Sequence, residues 1–178
     1  MLGHKDERIV RNVWIALVVI LSIVAGALLG NMDPKIDERA VKSAQMAQFK
    51  DLSGSWRRLS DWDGSYRIVN FWATWCPPCL EEIPLFIALH QELIDINMTF
   101  IGIAIDDAER VRDFVETNRV NYPVLVGSGD ALRISEAFGN HRSGLPFTVF
   151  LSPDGTLIDT HSGVVPASKI REFAAKIR

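Results

Sequence analysis

The chain has 178 residues, 48% of them hydrophobic and 23% charged, with a formal net charge of −3. That balance excludes wholesale disorder, allows one ordinary domain plus an appendage, and offers no basic stripe for nucleic acid. Two cysteines are too few for a disulfide scaffold or an all-cysteine zinc site.

Val13 to Gly30 is an apolar run broken only by Ser22 and small residues, and it matches the roughly 17–25 residues that span a bilayer. Lys5, Arg8 and Arg11 precede it; Asp33, Asp37 and Glu38 follow. The positive-inside bias makes 1–12 a cytoplasmic N-terminus, 13–30 a transmembrane signal-anchor, and everything after Asn31 external, which in a bacterium means the periplasm. A rival reading is a signal peptide cleaved at Ala25-Gly26-Ala27. The apolar run continues past that cut through Leu28-Leu29, which favours the anchor. Either way the cysteines lie where disulfides persist. Residues 31–48, charged and interrupted by Pro34, read as a tether, with a helix open from Ile36 onward, and 49–178 as the folded domain.

Phe49 to Leu59 alternates around Ser53-Gly54 as a β-hairpin, and 60–65 make a turn. Tyr66 to Trp72 reads as a central strand, apolar on both faces. It leads into Trp75-Cys76-Pro77-Pro78-Cys79 and a helix from Pro78 to about Ile94, which Pro84 should kink. Met98 to Ile105 is a second buried strand, and Asp106-Asp107 can cap a helix from Ala108 to about Asn118. A short strand (Tyr122–Val126) and helix (Ala131–Phe138) follow. Strands Phe147–Leu151 and Leu157–His161 flank the turn Ser152-Pro153-Asp154-Gly155, and a last helix covers about Pro166 to Ile177. This order predicts an α/β sandwich with a mixed sheet.

Two cysteines three apart at a strand-to-helix junction can close a small disulfide ring and reopen it, so the expected chemistry is thiol–disulfide exchange. Cys76, exposed at the helix start where free N–H groups favour a negative sulfur, is the expected nucleophile, and Cys79 the resolving thiol. Pro77 and Pro78 have no N–H, and no histidine separates the cysteines. The thiolate is then less stabilised and the couple less oxidising, which points to a reductase. Trp75 is expected to flank the site as an apolar platform, while Trp72 reads as core. His90 is expected to be solvated, His141 to border the groove before Pro146, and His161 to end a strand.

Phe71-Trp72-Ala73-Thr74-Trp75-Cys76-Pro77-Pro78-Cys79 together with Gly144-Leu145-Pro146-Phe147-Thr148-Val149-Phe150 resembles the thioredoxin fold. More narrowly, the chain resembles the membrane-anchored bacterial TlpA/ResA/CcmG-type disulfide reductases over roughly Phe49 to Arg178. The resemblance implies a thioredoxin-like fold, a mixed central sheet flanked by helices, behind one N-terminal transmembrane helix. It implies a single-pass inner-membrane protein with its catalytic domain in the periplasm and no bound cofactor. Its substrates would be disulfide-bonded proteins, apocytochrome c among them, and its electrons would come from a membrane thiol donor of the DsbD/CcdA type. The resemblance places a carboxylate at Glu82, three residues after Cys79 on the same helical face, to exchange a proton with that cysteine. Thioredoxins carry a buried aspartate where this chain has Asn70. A cis Pro146 is implied, as is pairing of the Leu145 backbone with substrate peptide in β-fashion. Two other functions stay open: a DsbA-like oxidase or isomerase, which the missing histidine disfavours, and a Cu(I) chaperone using both thiolates and His141 or His161. A peroxiredoxin is disfavoured because Thr74 lies too close to Cys76 for a Pro-x-x-x-Thr-x-x-Cys run.

Overall fold

Alternation of buried residues along the strands decides what meets what in this protein. The computed structural model describes residues 12–22, 36–127 and 129–177. Residues 12–22 form a helix, α1, with every residue exposed. The remainder of the anticipated 13–30 span lies outside the described residues. Among the described residues no helix is long and apolar enough to cross a membrane.

The second unit, Ile36–Arg178, contains α2 (Glu38–Gln45), β1 (Phe49–Asp51), β2 (Trp56–Arg57), β3 (Tyr66–Trp72) and α3 (Pro77–Leu93). It continues with β4 (Met98–Ile105), α4 (Ala108–Asn118), β5 (Val124–Gly127), α5 (Gly129–Ala137), β6 (Phe147–Leu151), β7 (Leu157–Ser162) and α6 (Ala167–Lys176). The strands make one sheet in the order β2-β1-β5-β4-β3-β6-β7. Neighbours β3–β4 and β4–β5 are parallel and the other pairs antiparallel, so the sheet is mixed, as expected. The central strand β3 is buried at six of its seven positions, which matches its apolar character on both faces.

Because side chains alternate across a sheet, Ile68 and Trp72 of β3 join Phe100, Phe86 of α3, Val111 of α4 and Phe173 of α6 in one core. Val69 and Phe71 join Ile101, Ile103, Val41 of α2 and Phe138 in the other. Asn70 shares the face of Ile68 and Trp72, and is therefore carried beneath α3. In register, Asn70 stands opposite Thr148 of β6, so these two polar side chains occupy the same face.

Within the expected tether, the helix allowed from Ile36 onward is present as α2. Asp37 caps α2 by accepting from the Arg39 N–H at 2.9 Å, and Val41, Ala44 and Gln45 are buried. Gln45 Nε2 donates to the Gly155 carbonyl at 2.8 Å. Gly155 has φ +86, and a Cβ there would meet Gln45 Oε1 at 2.5 Å; only glycine serves that turn. Helix α3 continues through Pro84. His90 corrects the expectation of solvation: it is 9% exposed and packs edge-on against Phe100 and Tyr122, centroids 5.8 and 6.1 Å away. It lies on the stripe of Ile83, Phe86 and Leu93, so helical spacing turns it inward.

Candidate active site

Cys76 and Cys79 are joined in a disulfide at the end of β3 and the start of α3. Pro77 and Pro78 are the first two residues of the helix, where a missing N–H costs least. The first amide the helix offers, that of Cys79, donates to the Cys76 carbonyl at 3.0 Å, joined by Leu80 N at 3.3 Å. The donors that ordinarily gather round a side chain at a helix start are thus removed by proline or committed to backbone.

Cys76 is more covered than its position at a helix start suggests. It is 5% exposed and Cys79 fully buried, because both belong to the core cluster of Trp72 and Ile83, against which Leu145 packs. Trp75 beside it is 61% exposed, and Pro77 and Pro78 are exposed as well. These exposed apolar residues flank the covered nucleophile position in sequence.

Glu82 lies one turn beyond Cys79 on the buried side of α3, 1% exposed. Its Oε1 accepts from Asn70 Nδ2 at 2.7 Å and its Oε2 from the Val165 N–H at 3.0 Å. Asn70 Nδ2 also donates to Thr148 Oγ1 at 3.1 Å. Burial pushes the Glu82 carboxyl up to about 7, although the Val165 and Asn70 hydrogen bonds pull the other way. Tyr122 is raised too, first by burial and then by the Glu82 charge. A carboxyl poised near neutrality can both take and return a proton.

The Leu145–Pro146 peptide bond is cis. Pro146 is buried, and its carbonyl accepts from the Gly163 N–H at 2.8 Å, tying this corner to the end of β7. On the other flank, Asp107 caps α4 by accepting from the Glu109 N–H at 2.9 Å. Asp106 instead turns to the cysteine loop, accepting from the Thr74 N–H at 3.1 Å and from the Thr74 hydroxyl. Burial pushes this carboxyl up, but the bonds from Thr74 and Asp107 outweigh it and hold Asp106 below the ordinary range.

Sequence reasoning missed Thr148, the Val165 amide and the Asp106–Thr74 pairing. Thr148 is visible only once the β3–β6 register is known, and no local pattern marks the other two. His141 borders the groove beside Leu145 and Pro146. His161 faces the Val164 carbonyl at 3.1 Å. Among the described residues no three His, Cys, Asp or Glu side chains are grouped to hold a metal ion.

A disulfide-bonded cysteine pair on a thioredoxin-like mixed sheet defines a thiol-disulfide oxidoreductase. A sequence profile of the AhpC/TSA family matches residues 40–160, and the chain belongs to that family. Thiol-disulfide oxidoreductase ResA of Halalkalibacterium halodurans is 28% identical over 141 residues, 79% of this chain and 78% of its own. The thioredoxin-like protein YneN of Bacillus subtilis is 28% identical over 167 residues, 89% of this chain and 95% of its own. Among solved structures, a thioredoxin-family thiol:disulfide interchange protein from Chlorobium tepidum superposes with TM-score 0.65 at 23% identity, over 74% of this chain and 92% of that one. A secreted thiol-disulfide isomerase from Corynebacterium glutamicum gives TM-score 0.67 at 24% identity, over 74% and 82%.

Proposed function

We propose that this oxidoreductase is an exported disulfide reductase, held at the inner membrane by residues 13–30 and acting in the periplasm on disulfide-bonded proteins, apocytochrome c among them. The observation that carries the direction is the helix start, where Pro77 and Pro78 withhold donors from Cys76. A poorly stabilised thiolate means a strongly reducing dithiol.

In the reduced enzyme the Cys76 thiolate attacks one substrate sulfur, forming a mixed disulfide and releasing the other sulfur as thiolate, which takes a proton from water. Glu82 accepts the proton of the Cys79 thiol. The Cys79 thiolate then attacks Cys76, releasing the second substrate thiolate, which is protonated in turn. Two electrons leave the enzyme pair, which ends as the Cys76–Cys79 disulfide. A membrane dithiol of the DsbD/CcdA type would return them. Leu145 supports strand-like docking of substrate, since its N–H and C=O have no backbone partner among the described residues, and Trp75 supplies an apolar rest.

The test is insulin reduction with dithiothreitol as electron source, together with a Cys79→Ser variant that should accumulate mixed disulfides through Cys76. An intact fold giving neither turnover nor trapped adducts overturns the proposal. A midpoint potential near about −120 mV would instead assign an oxidase.

A further inference from the structure

Beside the cis peptide bond lies a groove of about 380 Å³ between the 139–146 loop and the 162–163 turn. Leu145, Pro146, Asn140, His141 and Arg142 form much of its wall, and none of its lining residues is Asp or Glu. The loop is fixed from within. Asn140, 3% exposed, donates through Nδ2 to Ser135 Oγ and to the Gly144 carbonyl, both at 2.9 Å, and accepts from the Gly144 N–H at 3.0 Å. Ser143, held at φ 48, donates to Glu136 Oε1 at 2.9 Å, which occupies the acid nearest in sequence. Arg142 is exposed and enters none of the ion pairs among the described residues.

Charge has the opposite sign across the cysteine loop. In sheet order β4, β3 and β6 are neighbours: Asp106 and Asp107 follow β4, the cysteine pair follows β3, and Leu145-Pro146 precede β6. A guanidinium without an ion pair among the described residues, in a chain of net charge −3, therefore stands on one side of the site, and on the other stand Asp106 and Asp107, Asp106 with Arg110 at 3.9 Å.

We infer that this groove is a specificity subsite for a carboxylate side chain of the substrate. A peptide extended along Leu145 places an Asp or Glu near its reactive cysteine against Arg142, whose planar fork suits a carboxylate, with His141 as a further donor. A lysine or arginine in that place is repelled. The inference rests on the oxidoreductase reading and adds the charge of the substrate to it.

Three disulfide-linked peptides differing only in the flanking residue, Glu, Gln or Lys, test it on the full chain with dithiothreitol. At low salt the Glu peptide should exceed the Lys peptide about three- to fivefold in kcat/KM, mostly through KM, as for a surface ion pair, and the ratio should shrink in strong salt. Arg142→Glu should invert the order and Arg142→Lys should keep it. Equal turnover of Glu and Lys peptides overturns this inference while leaving the oxidoreductase reading intact, as does a preference that survives Arg142→Glu. No turnover of any peptide strikes the oxidoreductase reading itself.

Discussion

Replacing Glu82 by glutamine keeps the outline of the side chain and removes its proton. Burial holds this carboxyl at about 7, against 4.5 for an ordinary glutamate. The folded state thus binds the proton more tightly than the open chain does. Stability is fully present below about pH 4.5, declines as the pH rises towards 7, and above 7 is lower by about 3 kcal/mol. Glutamine escapes that loss. It carries a smaller one instead, because both carboxylate oxygens now accept hydrogen bonds and an amide NH2 must face one donor. Asn70 Oδ1 has no partner among the described residues, so a flipped Asn70 could accept from that NH2, keeping the cost to about 1 kcal/mol. Glu82→Gln should be about 1 kcal/mol less stable than the parent at pH 4.5 and about 2 kcal/mol more stable at pH 8.5. Urea denaturation of the oxidised protein across that range measures both. Disulfide exchange should meanwhile slow by about tenfold or more, because Cys79 loses its proton acceptor. Stability curves that run parallel from pH 4.5 to 8.5 would refute the reasoning.

Pro77→His supplies an amide N–H and an imidazole beside Cys76, so the potential should rise by about 30 mV or more towards the isomerase range. A glutathione redox titration reads this, and an unmoved midpoint would contradict the role given to the prolines. Asp106→Ala frees the Thr74 N–H and hydroxyl and removes a carboxylate from the cysteine loop. It should cost about 1–2 kcal/mol in urea unfolding and shift alkylation of Cys76 to lower pH; an unchanged alkylation profile counts against it.

The sheet was readable from the chain because β3 and β4 are apolar on both faces and the cysteine motif stands where β3 ends. Cis Pro146 came from resemblance, since a proline alone does not announce its isomer. Polar groups whose partners are distant in sequence were not readable. Thr148 reaches Asn70 only through strand register, and Val165 reaches Glu82 across 83 positions. His90 was readable and misjudged: its spacing from Ile83 and Phe86 outweighs the polarity of an imidazole. Helix α2 was readable as a helix from Ile36 onward, but its docking was not, since it buries only Val41, Ala44 and Gln45 and no local pattern marks the bond from Gln45 to Gly155.

With Cys76 only 5% exposed beside the exposed Trp75, Pro77 and Pro78, a partner sulfur has little surface through which to reach it. A disulfide set flush in a rigid folded surface is the harder partner for so covered a nucleophile. One carried on an unfolded stretch or a protruding loop reaches it more readily, so exchange should favour chains not yet folded.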